Sequence, residues 1–312
     1  MLVNIPTAIE LNEIALRLYF AAWDRTATIA SNFKLEFDDS DWPWKTNSQW
    51  ADEWNEYLNQ AQSELGAIAA TAQQSAEVRL KSIICETDPY ILLLKSDLKI
   101  RETGGDLDFA DQRTLDAVEL PAAVRTLTPF PLPQSYIQQY QELRRLRNKV
   151  MHTGMHQDRL EPQKLILMLS KQYVALWPDG RWLSRRVDFD GNSATAFFHD
   201  ERWSSVQSKI MEELPITIAL FDNELFRKCV GTSKSSLKGY CPCCKSRMAS
   251  KLGADTEPTV SRKSDDSAKC YMCEVDLGLT KSETGCNCGS HLVATASSCD
   301  DPCCFDCGQW NY

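Results

Sequence analysis

Arg147 and His152 stand five positions apart in the segment Arg144-Arg145-Leu146-Arg147-Asn148-Lys149-Val150-Met151-His152. An imidazole with a pKa near ~6.5 can give or take a proton at neutral pH. A guanidinium stays charged, and its planar fork fits the oxygens of an anion. Together they suit acid–base chemistry beside a developing negative charge. The spacing alone is weakly specific, because an Arg and a His within one stretch of helix are often coincidental. His152 would also be favoured at a helix C-terminus by the macrodipole.

The second chemistry-bearing group is thiol. Of 13 cysteines, all but Cys85 lie at or after Cys229. Four pairs follow in order: Cys241 with Cys244, Cys270 with Cys273, Cys286 with Cys288, and Cys304 with Cys307. Two thiolates at such spacing turn toward one tetrahedral ion, and a second pair completes the shell. Sequential pairing predicts two structural zinc ions, each closed by four thiolates and so without an open position for water. Clustered thiols in a chain expected in the cytoplasm point to metal rather than disulfides, and the odd total agrees. His291 or Cys299 could replace Cys286. Cys243 and Cys303 sit beside ligands and could substitute too. Cys85 reads as a buried core thiol.

The Arg and His need a helix to position them. Ser135 reads as an N-cap for a helix running to about Thr153, with Gly154 as its stop. On a wheel of about 100° per residue, Leu143, Leu146 and Val150 share one stripe that must face a core. Arg144, Asn148 and Met151 fall on another side, flanked by Arg147 and His152 about 140° apart. A symmetric partner helix laid across that side would close a polar cleft.

Around this helix the chain reads as mostly helical from residue 8 to about 228. One helical stretch covers about Ser48–Leu94, with breaks expected near Gly66 and Pro89. A short helix is expected near Ala117–Arg125 among loops, another over Pro162–Leu176, and a last long one over Trp203–Lys228. A linker near 35–50 holds Trp42, Trp44 and Trp50 among acidic residues, with Trp54 following. Acidic neighbours repel phosphate, so these rings are expected to pack the linker onto the bundle rather than stack bases.

The segments Glu77–Ile84, Tyr90–Leu94, Asp108-Phe109, Arg113–Ala117 and Glu142–His152 resemble the HEPN superfamily, particularly a prokaryotic branch whose helical domain precedes a cysteine-rich tail. The likeness covers Glu77–Gly154 and extends less closely to Lys228. It implies a metal-independent endoribonuclease acting as a homodimer, toxin-like or antiviral, with two motifs facing across a two-fold axis. RNA cleavage without metal uses the substrate's 2′-hydroxyl as nucleophile. Arg147, Asn148 and His152 would be catalytic, with Arg144 and Lys149 contacting RNA. A regulatory or defence-system protein would be a further partner. Inactive members usually lose the Arg or the His, and both are retained here. The Tyr that some members carry two residues after the His is Gly154 in this chain, so a Tyr-dependent variant is unsupported. His156 reads as a solvated loop residue. The competing reading is a non-catalytic HEPN module that binds RNA, nucleotide or protein, with the tail as an interaction domain.

Composition sets the outer limits. The net charge of −9 argues against non-specific nucleic-acid binding over the whole surface. Residues 230–312 hold nine Lys or Arg against ten Asp or Glu, which argues against a generic phosphate clamp there. No apolar run approaches the ~18–20 residues of a membrane span, and no secretory signal is visible. The expectation is a cytoplasmic protein of two parts. An all-α helical bundle, HEPN-like, fills 1–229. A small zinc-stapled, ribbon-like domain with short β hairpins fills 230–312, where apolar periodicity disappears and a staple is needed.

Overall fold

The computed structural model describes residues 1–37, 50–94, 105–153, 159–192, 206–248 and 257–309. Trp42, Trp44, Gly154 and His156 lie outside them. The chain forms two compact units, Met1–Leu176 and Trp177–Tyr312. The division in contacts therefore comes earlier than the change of composition at Cys229.

The first unit is built on two long helices, α1 (Ala8–Phe37) and α2 (Ala51–Thr87), preceded by a short strand β1 (Leu2–Val3). The Ser82 hydroxyl donates to the Ala8 carbonyl and the Ser75 hydroxyl to that of Ala15, each at 2.8 Å. The Tyr57 hydroxyl reaches the Ile29 carbonyl at 3.0 Å. The contacts pair early residues of one helix with late residues of the other, so the helices run antiparallel. Small buried residues at the seam, Ala15, Ala22 and Ala30 against Ala61, Ala69, Ala72 and Ala76, allow close approach of the backbones. Gly66 does not interrupt α2. It is buried within it, where a missing side chain costs up to about 1 kcal/mol of helix propensity. The break before Pro89 is real, and a short 3-10 turn spans Pro89–Leu93 with Asp88 capping it.

A strand β2 (Leu107–Asp108) pairs in parallel with β1. Among the described residues, three further helices follow in this unit: α3 (Leu120–Leu127), α4 (Gln134–Thr153) and α5 (Pro162–Leu176). α5 is buried along most of its length through Leu165, Ile166, Leu169, Tyr173 and Leu176, and its Gln172 amide donates to the Ala72 carbonyl at 3.2 Å. Trp54 sits at the near end of the α1–α2 pair, edge-on to Phe33 at 4.9 Å and stacked on Tyr57 at 5.7 Å. Half-buried, it packs there against the helix pair.

The second unit begins with α6 (Trp182–Gly191), α7 (Val206–Leu220) and α8 (Asn223–Val230). The long helix expected over Trp203–Lys228 is two helices. The first ends at Leu220 and Asp222 caps the second, its carboxylate accepting the Leu225 N–H at 2.7 Å, and Gly231 closes α8 in the left-handed region at φ 87°. Then come β3 (Leu237–Gly239), α9 (Pro242–Arg247), β4 (Val260–Arg262), β5 (Ser267–Cys270), β6 (Asp276–Lys281), β7 (Leu292–Ala296) and β8 (Cys299–Cys304). The strands form one antiparallel meander in the order β3-β4-β5-β6-β7-β8. The sheet curls into a half-barrel, since the Tyr240 N–H beyond one edge strand donates to the Phe305 carbonyl beyond the other at 2.9 Å. A helical region followed by a small β region with thiol clusters is the architecture the sequence implies.

Candidate metal centres and the Arg–Asn helix

The eight paired cysteines gather in two groups of four, Cys241, Cys244, Cys270 and Cys273 in one, and Cys286, Cys288, Cys304 and Cys307 in the other. Within each, all sulfurs lie within 4.8 Å of one another. In the first, Cys241 precedes α9 and Cys244 lies in its first turn, while Cys270 ends β5 and Cys273 sits in the following turn. Cross-pair Sγ–Sγ distances are 3.6 Å for Cys241–Cys273 and 3.7 Å for Cys244–Cys270. In the second, Cys286 and Cys288 occupy the β6–β7 turn, Cys304 ends β8 and Cys307 follows it. There the distances are 3.5 Å for Cys286–Cys307 and 3.6 Å for Cys288–Cys304.

These separations test the fit of a metal. A disulfide would require about 2 Å. Four thiolates at about 2.3 Å from a tetrahedral ion stand about 3.8 Å apart. The observed edges fall just inside the second value. Both clusters are therefore consistent with a structural metal ion. The knuckle backbones agree. The Lys245 N–H donates to the Cys241 carbonyl at 3.0 Å, the Gly289 N–H to that of Cys286 at 2.8 Å, and the Gly308 N–H to that of Cys304 at 2.8 Å. The residue after the second cysteine takes positive φ in three knuckles: Glu274 at 62°, Gly289 at 87° and Gly308 at 69°. Hydrogen bonds from Cys241, Cys244 and Cys273 hold the buried Cys270 thiol well below the ordinary range, whereas Cys244 is pushed up by its bond with Cys241. Thiols so crowded share protons that a divalent cation would displace.

The alternative donors take other partners. His291 Nδ1 lies 3.1 Å from the Ser282 carbonyl oxygen. Cys243 contacts the Ser298 hydroxyl at 3.4 Å, and Cys303 faces the Tyr240 carbonyl at 3.8 Å. Burial raises the Cys303 thiol to about 12 and that of Cys85 to about 11, the latter with help from Asp88.

Arg144, Arg147, Asn148, Lys149 and His152 all lie on α4. Arg144, Arg147 and Asn148 are half-buried and Lys149 is exposed; the side chain of His152 lies outside the described ones. The core face of α4 is formed by Tyr136, Tyr140 and Leu143, with Leu146 only half-buried. Reading the stripe from Leu143, Leu146 and Val150 left out the two tyrosines, and their inclusion turns the face. Arg147 comes within about 20° of Tyr140 on the wheel, two turns further along. It thus continues the buried line instead of standing apart from it. The Tyr140 hydroxyl donates to the Ala117 carbonyl at 2.8 Å. Burial raises its pKa, aided by Glu77, while a Gln73 hydrogen bond and the Arg144 and Arg147 charges act the other way. Arg144 is steadied by its Nε donating to the Gln141 side-chain oxygen at 3.0 Å.

Comparison with known proteins finds no matching family model, curated protein or solved structure. No described helix is long and apolar enough to cross a membrane. The sequence missed one further group. Lys238, Arg262, Lys281 and His291 line a single cavity of the half-barrel. Their lysines and arginine balance in a count over the segment, and only the strand register shows that they converge.

Proposed function

We propose that the chain is a metal-independent endoribonuclease of HEPN type, toxin-like or antiviral, with two structural zinc ions in its β region. The observation that carries the nuclease reading is the placing of Arg147 and Asn148 on one helix, both half-buried, with Arg147 in line with the Tyr136–Tyr140–Leu143 core face and Asn148 beside it. A half-buried guanidinium is held more firmly than one at the tip of a free surface side chain, which suits electrostatic stabilisation of a transition state. His152 follows Asn148 by four residues, one helical turn.

In the reaction, the substrate's 2′-oxygen forms a bond to phosphorus and the bond to the 5′-oxygen breaks. His152 of one protomer takes the 2′-proton, and His152 of the second protomer supplies the proton that the leaving 5′-oxygen needs. Arg147 stabilises the charge on the phosphorane. Asn148 orients the imidazole or holds the phosphate, with Arg144 and Lys149 on flanking phosphates. A homodimer would bring two such sets together. Zinc supports the β region and takes no part in the step.

The test is incubation of the pure protein with labelled RNA. Cleavage should leave a 2′,3′-cyclic phosphate and a 5′-hydroxyl, spare RNA carrying a 2′-methoxy group at the cut, and vanish in His152→Ala. Retention of cleavage by that variant would overturn the assignment. RNA binding without cleavage by wild type would favour a non-catalytic module.

A further inference from the structure

The half-barrel holds a cavity of about 540 Å³, within the ~300–1,000 Å³ span of small-ligand sites. Its walls include Lys238, Arg262, Lys281 and His291, the hydroxyl residues Ser236 and Ser290, and one carboxylate, Asp306. Curling of the sheet explains why cations from separate strands meet. Lys281 on β6 pairs in register with Leu292 on β7. The Phe305 N–H donates to the Leu292 carbonyl at 2.9 Å, carrying β8 to the same place. The Phe305 ring then lies flat against Gly239, so closely that a Cβ there would stand 2.2 Å from the ring. Lys238 is the next residue on β3. A side chain at position 239 would push the wall carrying Lys238 away, which accounts for the glycine.

Basic groups outnumber acidic ones on the wall, with Lys238, Arg262, Lys281 and His291 against Asp306. Lys238 and Lys281 are exposed, and neither has an ion-pair partner among the described residues. Arg262 is set by its own turn, with Nε on the Ser264 carbonyl at 2.8 Å and one terminal nitrogen on Asp265 at 3.0 Å. Asp306 accepts the Ser290 hydroxyl. Gly285 packs under the His291 ring, and Nδ1 of that ring faces Ser282. Two free ammonium groups, an oriented guanidinium and an imidazole form a donor set for a phosphate group, while the Ser290 and Ser236 hydroxyls are already bonded within the wall.

We infer that this cavity grips the phosphate backbone of a single-stranded RNA, the substrate of the proposed nuclease; the choice of RNA rests on that reading. Phe305 is only 4% exposed, so it offers no face for a base to stack on. Recognition is therefore of phosphate alone and indifferent to sequence. Single-stranded DNA of equal length should bind this cavity equally, even though the proposed chemistry cuts only RNA.

The experiment uses the full zinc-loaded chain and a fluorescein-labelled RNA 12-mer with 2′-methoxy groups throughout, which cannot be cleaved. Anisotropy titrations across a salt series give the slope of log K against log salt. Each phosphate contact on a single strand contributes about −0.7 to that slope. Lys238→Ala with Lys281→Ala should make it shallower by about 1.4, which at 0.1 M salt is about 25-fold in affinity. Both side chains are exposed, and two zinc ions per chain should remain as proof of folding. Unchanged slope and affinity in the double variant overturn the inference. So does an acidic peptide displacing the RNA at lower concentration than inorganic phosphate or unlabelled RNA. If the double variant loses binding while wild type cuts no RNA, the cavity stands and the nuclease reading falls. If it binds as wild type and still cuts by a His152-dependent route, the reverse holds.

Discussion

Replacing Cys270 by serine should release one of two metal ions and open the centre of the sheet. Cys270 is fully buried at the end of β5, opposite Val260 in register, and its N–H donates to the Val275 carbonyl at 3.0 Å. Its sulfur lies 3.7 Å from that of Cys244. Structural zinc in small domains binds with an apparent ~10–16 kcal/mol, which is also folding free energy. One of four thiolates therefore carries about 2.5–4 kcal/mol on equal sharing. The sheet has little else to offset such a loss, because its buried apolar side chains, among them Val260, Ala268, Met272, Leu277 and Leu279, are few for a stable core. Elemental analysis should fall from two zinc ions to one per chain. Trypsin should then cut after Lys269, whose ammonium is held by Glu274 at 3.1 Å in the intact turn. The exposed Cys288, in the other cluster, provides the control: Cys288→Ser should lose an ion while leaving Lys269 protected. Two retained ions and unchanged trypsin resistance in Cys270→Ser would show that this thiolate neither holds a metal nor ties the sheet.

Arg186→Ala should destabilise the second unit by about 3–5 kcal/mol, read as a fall in chemical-denaturation midpoint, because it leaves two buried carboxylates facing each other. Arg186 is fully buried between Asp190 at 2.9 Å and Glu213 at 3.0 Å. Tyr140→Phe removes the hydrogen bond to Ala117 and should cost about 1 kcal/mol without disrupting α4, as judged by thermal melting and helicity. Gly239→Ala drives a methyl into the buried Phe305 ring and should cost about 1–3 kcal/mol, with Phe305→Leu partly restoring stability in the same denaturation assay. Native alkylation at pH 8 should leave Cys85, Cys229 and Cys303 unmodified by mass spectrometry, since burial raises each thiol, and metal removal with denaturant should expose all 13 cysteines.

The helical part and the thiol pairing were legible because both rest on local spacing. The helix over Pro162–Leu176 was readable from its periodicity and the proline at its start. The cysteine pairs close in sequential order because each knuckle is a tight local turn, and His291, Cys243, Cys299 and Cys303 have other neighbours. What spacing hides is tertiary. The core face of α4 includes Tyr136 and Tyr140, both buried, which the spacing of aliphatic residues alone does not mark. Asp222 was readable as a cap only once Phe221 turned away from the helix before it. The cation-lined cavity needed the curl of the sheet, since Lys238, Arg262 and Lys281 are far apart in sequence and their charges cancel in the segment's total.

We propose that α4 carries a ribonuclease centre that works without metal. The chemistry of RNA ends after brief exposure to wild-type protein in EDTA tests this, beside His152→Ala and Arg147→Ala. Wild type should leave 2′,3′-cyclic phosphate and 5′-hydroxyl ends, and neither variant should cleave. Cleavage that depends on added divalent metal, leaves 5′-phosphates or persists in His152→Ala would contradict it.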